Sequence, residues 1–193
     1  RVRLGVTGHR TLRDPESVAR RVEKVLGWIE TTVLPTSPAT PVAYTVVSAL
    51  AEGADRLVSK VVLERRSAEL LAVPPLPVEE FMKDFESQES RAEFVELLRQ
   101  AIQPPTEPAQ EERRPVAYAT GGRALVDRID ILIAVWDQEG PRGVGGTATV
   151  VDYARRKGVP IVVVSAADAS RIDFPEPPAE PSLIDRALDL LEF

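Results

Sequence analysis

The stretch from Asp130 to Gly158 contains the residues whose types and spacing have the clearest chemical meaning in this sequence. The apolar run Ile131 to Val135 is typical of a strand buried on both faces, and a loop rich in glycine and charge follows it. Gly145, Gly146 and Thr147 then begin a helical pattern. A helix N-terminus presents unpaired backbone N–H groups, so this junction can bind a phosphate, although two glycines can also simply make a tight turn.

Two other loops of the sequence also combine glycine with polar residues at the end of an apolar run. Thr7 to Arg10 follow a first predicted strand, and Ser48 to Asp55 follow a second. In a parallel sheet the loops after successive strands lie along one edge, so both should meet the loop from Gly143 to Thr147. We therefore predict a nucleotide or sugar-phosphate pocket made by three loops.

Each polar candidate has a structural alternative that the sequence leaves open. Arg10 can bind phosphate through its bidentate guanidinium or form an exposed salt bridge. His9 can contact the ligand or pin its own loop by a hydrogen bond. Glu52 can accept hydrogen bonds from ribose hydroxyls or be a solvated acid, and Asp55 is predicted to cap the following helix rather than touch a ligand.

The predicted ligand-binding set extends beyond these loops to two further side chains. Asp137 directly follows the central strand and is a candidate for binding a ribose hydroxyl, and Arg123 follows Gly121-Gly122 and could close over a ligand. The full set is Thr7, Gly8, His9, Arg10, Ser48, Glu52, Gly53, Arg123, Asp137, Gly145, Gly146 and Thr147.

The three motifs together resemble those of the SLOG superfamily of Rossmann-like domains. The resemblance covers most of residues 2 to 165 and lies in Gly5-Val6-Thr7-Gly8-His9-Arg10, in Ala51-Glu52-Gly53-Ala54-Asp55, and in Asp130 to Asp137 with Gly145-Gly146-Thr147-Ala148. That superfamily includes cytokinin-activating phosphoribohydrolases, DNA-processing proteins, and ligand sensors of bacterial nucleotide-signalling and anti-phage systems. The resemblance implies a pocket for a nucleotide or an ADP-ribose-like molecule.

The sequence departs from the phosphoribohydrolases at their catalytic residue. Their motif Pro-Gly-Gly-x-Gly-Thr-x-x-Glu ends in a catalytic glutamate, which falls on Val150 when the motif is aligned on Gly146-Thr147; the nearest acid is Asp152. A valine cannot stabilise an oxocarbenium ion or transfer a proton. Many relatives also have Ser-Gly-Gly-Ala where this chain has Ser48-Ala49-Leu50-Ala51, so a phosphate is expected to approach that loop less closely.

The leading functional hypothesis is therefore a binding module that senses a nucleotide-derived ligand, as the sensor domain of a bacterial signalling or anti-phage system. The alternative is an enzyme that cleaves the N-glycosidic bond of a nucleoside monophosphate, with Glu52, Asp137 and Asp152 as candidate catalytic residues. We expect no metal and no cofactor. The expected partner is a nucleotide-derived small molecule rather than a nucleic acid, the expected assembly is a homodimer, and a fused effector or membrane domain could lie outside this chain.

Composition narrows the class of protein. With 193 residues, of which 44% are hydrophobic, the chain can form one domain with a substantial core. The absence of cysteine excludes thiolate chemistry, and a single histidine excludes an all-histidine zinc site. A formal charge of −6 argues against a general nucleic-acid binder, and there is no G-x-G-x-x-G fingerprint of a NAD dehydrogenase. Without an apolar run of membrane-spanning length or a signal peptide, we expect a cytoplasmic protein.

Strands and helices alternate along the sequence, which predicts an α/β fold: a Rossmann-like parallel sheet flanked by helices on both faces, in a single domain. Residues 1–165 are predicted to form the nucleotide-binding domain, with a mobile loop at 103–115, and residues 166–193 a Pro-rich tail and terminal helix packed on it. Predicted strands begin near residues 2, 42, 70, 131 and 161. Predicted helices include one capped by Asp14 that runs through Val33, one over residues 81–102, and a short one over residues 118–128 that is entered through Gly121-Gly122.

Overall fold

The computed structural model describes residues 1–33, 41–102, 113–140 and 145–175. The strands within these ranges form one sheet in the order β3-β2-β1-β4-β5-β6, in which the first five strands are parallel and β6 pairs antiparallel with β5. The strands are β1 (Val2–Gly8), β2 (Tyr44–Ser48), β3 (Ala68–Ala72), β4 (Ile131–Trp136), β5 (Ile161–Ser165) and β6 (Ile172–Asp173). The predicted Rossmann-like α/β fold is confirmed.

Helices cover both faces of the sheet. They are α1 (Pro15–Trp28), α2 (Ala54–Leu63), α3 (Val78–Met82), α4 (Gln88–Arg99), α5 (Arg114–Val126) and α6 (Thr147–Arg156). All six residues of the central strand β4 are buried, and they alternate between two apolar clusters because successive side chains of a strand point to opposite faces. One cluster packs against α1 to α4 and the other mainly against α5 and α6.

The start of α1 follows its sequence signals, but its end does not. Asp14 Oδ1 accepts a hydrogen bond from the Ser17 amide at 2.9 Å, and Pro15 occupies the first turn, as predicted. The α-helix ends at Trp28, and a π-helical turn, Ile29–Val33, follows. A π-turn changes the rotation per residue, so the apolar repeat no longer places its last member on the buried face: Val33 is 41% exposed.

Two other predicted helices have different bounds in the structure. The helix predicted over residues 81–102 is two helices, because Ser87 caps a new one by accepting a hydrogen bond from the Ser90 amide at 3.1 Å. Gly121 and Gly122 lie in the middle of α5 rather than at its start. Their function is close packing: a Cβ at Gly121 would lie 2.8 Å from Pro75 Cβ, and one at Gly122 would lie 2.7 Å from Val150 Cγ2.

The remaining differences concern short or terminal segments. Strand β6 was not predicted, since two residues carry no readable alternation. Of the loop predicted at 103–115, residues 103–112 lie outside the described residues, and Arg114 and Pro115 begin α5. The predicted terminal helix also lies outside the described residues. In the described part of the chain, no helix has the length and hydropathy needed to cross a bilayer.

Candidate functional site

A cavity of about 590 Å³ opens at the carboxyl edge of the sheet, where β1 and β4 lie side by side. From β1 the chain continues to β2 on one side and returns as β4 on the other, which makes this gap the topological switch point where ligands of open α/β sheets bind. The predicted site residues that line the cavity are Thr7, Gly8, His9, Arg10, Asp137, Gly145, Gly146 and Thr147. Ala49, Ala51 and Asp55 from the second predicted loop also line it, so the three predicted loops meet at one edge.

His9 connects the three strand ends that form the cavity floor. Its amide donates to the Val135 carbonyl at 3.1 Å, and its carbonyl accepts from the Ala54 amide at 3.0 Å. Its ring Nε2 lies 3.2 Å from both the amide nitrogen and Oδ2 of Asp137. A neutral ring with a lone pair on Nε2 accepts from the amide, whereas a ring protonated there donates to the carboxylate. His9 thus pins its loop and also lines the cavity.

Gly53 allows the β1–α1 and β2–α2 loops to touch through their backbones. Its φ of +77° is a backbone conformation that residues with a side chain rarely adopt, and a Cβ there would lie 2.1 Å from the Arg10 carbonyl oxygen. Gly53 is the N-cap of α2, so Asp55, which was predicted to cap this helix, lies instead within its first turn. Gly53 itself does not line the cavity; it brings the lining residues together.

The start of α6 presents unpaired amides to the cavity. Gly146 is the N-cap and makes no side-chain cap hydrogen bond, and no acid lies in the first turn. Gly145, Gly146, Thr147 and Ala148 all line the cavity, and their amides donate to no other residue in the part of the chain that the structure describes. Backbone N–H groups and the positive end of the helix dipole together favour an anion such as phosphate.

Arg10 belongs to a polar network at the rim of the cavity. Its Nη2 donates to the Tyr118 hydroxyl at 3.0 Å, and the Tyr118 hydroxyl in turn donates to Asp84. Burial, together with this bond to Asp84, raises the pKa of Tyr118 to about 12, so it remains a neutral donor. Arg114 completes the network by donating to both Asp84 carboxylate oxygens, at 2.7 and 2.8 Å.

Asp55 is an acidic residue of the cavity lining that the predicted ligand-binding set omits. It is only 6% exposed, and its Oδ2 accepts one hydrogen bond, from the Ala51 amide at 3.3 Å. Burial raises the pKa of its carboxyl to about 7, although the Ala51 bond and the nearby Arg10 and Arg56 charges lower it. The available signal was its position: it is two residues after Gly53, in a loop already predicted to form the pocket.

Besides Gly53, three other residues of the predicted ligand-binding set do not line the cavity. Ser48 is fully buried, and its Oγ accepts from the Leu50 amide at 3.0 Å, which shapes the β2–α2 loop. Arg123 lies over the Tyr153 ring at 5.8 Å. Glu52 accepts hydrogen bonds from the Glu86 amide and the Ser90 hydroxyl, so its carboxylate faces the start of α4.

The acidic residues predicted as catalytic candidates differ in whether they line the cavity. Asp152 does not line the cavity; it is exposed and pairs with Arg155 at 3.5 Å. Of the described lining residues, only Asp55 and Asp137 are acids. Val150, where the phosphoribohydrolases carry glutamate, lines the cavity and packs on Gly122. Among the described residues, no three His, Asp or Glu side chains are grouped so that they could hold a metal ion.

Comparison with known proteins gives a fold but no sequence relative. No protein-family model and no curated protein matches the chain. The structure of DNA processing protein A from Streptococcus pneumoniae superposes with a TM-score of 0.54 at 14% identity, over 99% of this chain and 56% of that one. DNA processing protein A from Helicobacter pylori superposes with a TM-score of 0.51 at 14% identity, over 84% of this chain and 64% of that one. The chain thus spans less than two thirds of the length of either protein.

The Helicobacter pylori protein binds single-stranded DNA, and this finding contradicts the expectation that nucleic acid is not a partner for such a domain. That expectation relied on the net charge of −6, which is an average over the whole surface and does not describe the field inside one cavity. On the observed strand order and these superpositions, the chain has the Rossmann-like fold of DNA processing protein A, which confirms the resemblance to the SLOG superfamily at the level of the fold.

Proposed function

We propose that this chain is a nucleotide-binding domain that holds a phosphate group at the start of α6. The observation that carries the proposal is the set of unpaired amides from Gly145 to Ala148, which open onto the cavity between β1 and β4. Arg10 is the only lysine or arginine among the described lining residues, and it supplies a second, charged donor at the rim. The nucleotide can be a free molecule or part of a single strand, since both present the same phosphate and sugar.

The domain binds its nucleotide without cleaving it, which is the property of a receptor. Glycosidic cleavage needs an acid or carboxylate at the anomeric centre, and its loss costs at least about 100-fold in rate. Val150 occupies the position of the catalytic glutamate in the phosphoribohydrolase motif, and both Glu52 and Asp152 lie away from the cavity. Asp137, the remaining candidate, makes an ion pair with His9 when the ring is protonated.

Replacing the Thr147 amide tests the phosphate site directly. Thr147 is the first residue of α6, where proline is well tolerated, and the preceding Gly146 has the extended backbone (φ −81°, ψ 179°) that a following proline requires. Thr147→Pro removes the amide and the hydroxyl, whereas the matched control Thr147→Ala removes only the hydroxyl. Losing a hydrogen bond to a charged group costs about 1.5–3 kcal/mol, so we expect Thr147→Pro to weaken binding roughly 10- to 100-fold.

The measurement is isothermal titration calorimetry with AMP, ADP-ribose and NAD, and with short oligodeoxythymidylate and oligouridylate. Thermal unfolding of each variant without ligand checks that the fold is retained. Tighter binding of the oligonucleotides than of every free nucleotide would assign the site to a single strand, and the reverse order would assign it to a free ligand. If Thr147→Pro and Thr147→Ala had equal affinity for every probe that binds, the proposal that the Thr147 amide holds the phosphate would be wrong.

A turnover assay distinguishes the receptor hypothesis from the enzyme hypothesis. We expect no base release when concentrated protein is incubated for hours with AMP, NAD or ADP-ribose and the products are separated by chromatography. Base release that disappears in Asp137→Asn, with binding retained, would instead establish an N-glycosidic hydrolase with Asp137 as its catalytic carboxylate.

A further inference from the structure

Asp55 combines a buried position with a carboxylate oxygen that a ligand in the cavity could reach. Its side chain lines the cavity although the residue is only 6% exposed. Oδ2 accepts a hydrogen bond from the Ala51 amide, but Oδ1 accepts none from any residue in the described ranges. Because Oδ1 lies at the cavity surface and is not used by the described part of the chain, a hydrogen-bond donor from a bound molecule can reach it.

The two helix starts that border the cavity differ in charge. The first turn of α6 contains no acid, whereas the first turn of α2 contains Asp55. A phosphate near α2 would be repelled by the Asp55 carboxylate, but a hydroxyl or amino donor would be attracted by it. This difference gives the ligand a direction, with the phosphate at α6 and a neutral hydrogen-bond donor at α2.

The spacing of the strands selects the part of the nucleotide that reaches Asp55. The loop before α6 follows β4 and the loop before α2 follows β2, and β1 separates these two strands in the sheet. Two strand spacings amount to about 10 Å. Ribose hydroxyls, which are one sugar away from the 5′-phosphate, match that separation when a hydrogen bond is added at each end, while the amino groups of the base lie farther away.

We propose that Asp55 is the specificity-determining residue of the cavity and accepts hydrogen bonds from the 2′- and 3′-hydroxyls of a ribonucleotide. This inference rests on the proposed phosphate site at α6. A carboxylate can accept from both hydroxyls of the diol, whereas a 2′-deoxyribose offers only one donor. The ligand class is therefore a ribonucleotide, since the deoxy analogue offers Asp55 one hydrogen-bond donor fewer.

The experiment is a comparison of matched ligand pairs on three proteins. At about pH 8, where the Asp55 carboxyl is ionised, calorimetry measures the affinity of the four ribonucleoside 5′-monophosphates and of their 2′-deoxy counterparts for the wild type, for Asp55→Asn and for Thr147→Pro. Asparagine keeps the size of aspartate but provides one carbonyl acceptor in place of a carboxylate. We expect the wild type to prefer the ribose form at least 10-fold, as a charged hydrogen bond of about 1.5–3 kcal/mol requires. Asp55→Asn should reduce this preference to roughly threefold or less and leave the deoxy affinity nearly unchanged.

Each outcome separates this inference from the phosphate site. Thr147→Pro should weaken both members of a pair by the same factor and keep their ratio. Equal affinity of the wild type for both members, or a preference that survives Asp55→Asn, would overturn the assignment of Asp55 and leave the phosphate site standing. Failure of every nucleotide to bind the folded wild type would overturn both proposals together.

Discussion

At the scale of single residues, the cavity combines side chains whose charge states depend on one another. Asp55 is buried close to Arg10 and Arg56, yet desolvation outweighs these cations and raises its pKa to about 7. Asp137 lies across the cavity beside His9. A carboxyl whose pKa is near neutrality can change between an acceptor and a donor under ordinary solution conditions, so the hydrogen bonding of Asp55 depends on pH.

The raised pKa of Asp55 predicts a specific loss of stability with pH. The folded state keeps this proton up to about pH 7, whereas an unfolded chain releases it near its model value of 3.8. Between these values the folded state binds more protons, so the free energy of unfolding falls as pH rises. At about 1.4 kcal/mol per pKa unit, the penalty approaches roughly 4 kcal/mol above neutrality. Asp55→Asn should therefore become more stable than the wild type as pH increases.

Urea unfolding at about pH 5 and about pH 8 measures this difference. Asp130→Asn is a suitable control, because Arg3 keeps the pKa of the Asp130 carboxyl below its usual value and both states are ionised across that range. Its stability relative to the wild type should not depend on pH there. Parallel pH profiles for the wild type and Asp55→Asn would show that the Asp55 carboxyl titrates normally.

At the scale of elements, the site depends on how closely helices approach the strand ends. The Nε of Arg56 in α2 donates to the Leu50 carbonyl at 3.0 Å, and its Nη1 donates to the Ser90 carbonyl at 2.9 Å. The buried guanidinium also lies 4.5 Å from the Phe85 ring. The β2–α2 loop is thus supported by α4, an element that does not itself line the cavity. Such indirect support explains why Glu52 faces Ser90 rather than the cavity.

Gly53→Ala tests the contact between the β1–α1 and β2–α2 loops. We expect a loss of stability from two causes: the backbone has φ +77° and ψ −117°, and the new Cβ would meet the Arg10 carbonyl. The matched control is Gly158→Ala, which also has positive φ, +69°, but would place a Cβ in open space. A side-chain-bearing residue in so sparsely populated a backbone region costs about 1–3 kcal/mol, and overpacking adds about 1–3 kcal/mol. Chemical denaturation should show the larger loss for Gly53→Ala; equal losses would mean that the loops separate without cost.

At the scale of the whole molecule, the net charge of −6 repels a polyanion, whereas the site proposed at the start of α6 favours a single phosphate. Only Arg10 among the described lining residues is a lysine or arginine. An oligonucleotide should consequently be held through one or two phosphates and gain little from added length. This differs from binding along a basic groove, in which every added nucleotide contributes.

The dependence of affinity on salt measures the number of phosphates held. Each phosphate neutralised in a single strand contributes about −0.7 to the slope of log K against log salt concentration. We expect a slope of about −0.7 to −1.4 for oligodeoxythymidylates of several lengths, and Arg10→Ala should make it shallower by about 0.7. A slope that steepens with each added nucleotide would indicate an extended interface outside the cavity.

The sequence alone determined the fold and the identity of the loops at its switch point. Strands β4 and β5 could be predicted from the apolar runs that begin at Ile131 and Ile161, and α6 from the helical spacing of its apolar residues. Both patterns involve only residues that are close together in the sequence. The rule that parallel strands expose their carboxyl ends at one edge then brought Thr7–Arg10 and Gly145–Thr147 together, as the cavity lining bears out. The N-cap of α1 at Asp14 is equally local.

The tertiary structure decided which polar side chains face the cavity. Glu52 and Asp55 are only three residues apart in the sequence, yet Glu52 is bonded to Ser90 and Asp55 lines the cavity, because the position of α4 is set by packing with distant parts of the chain. The place of Gly121-Gly122 in the middle of α5 likewise follows from Pro75 and Val150, which are distant in sequence. Long-range contacts fix such choices, and they leave no periodic signal in the segments that they join.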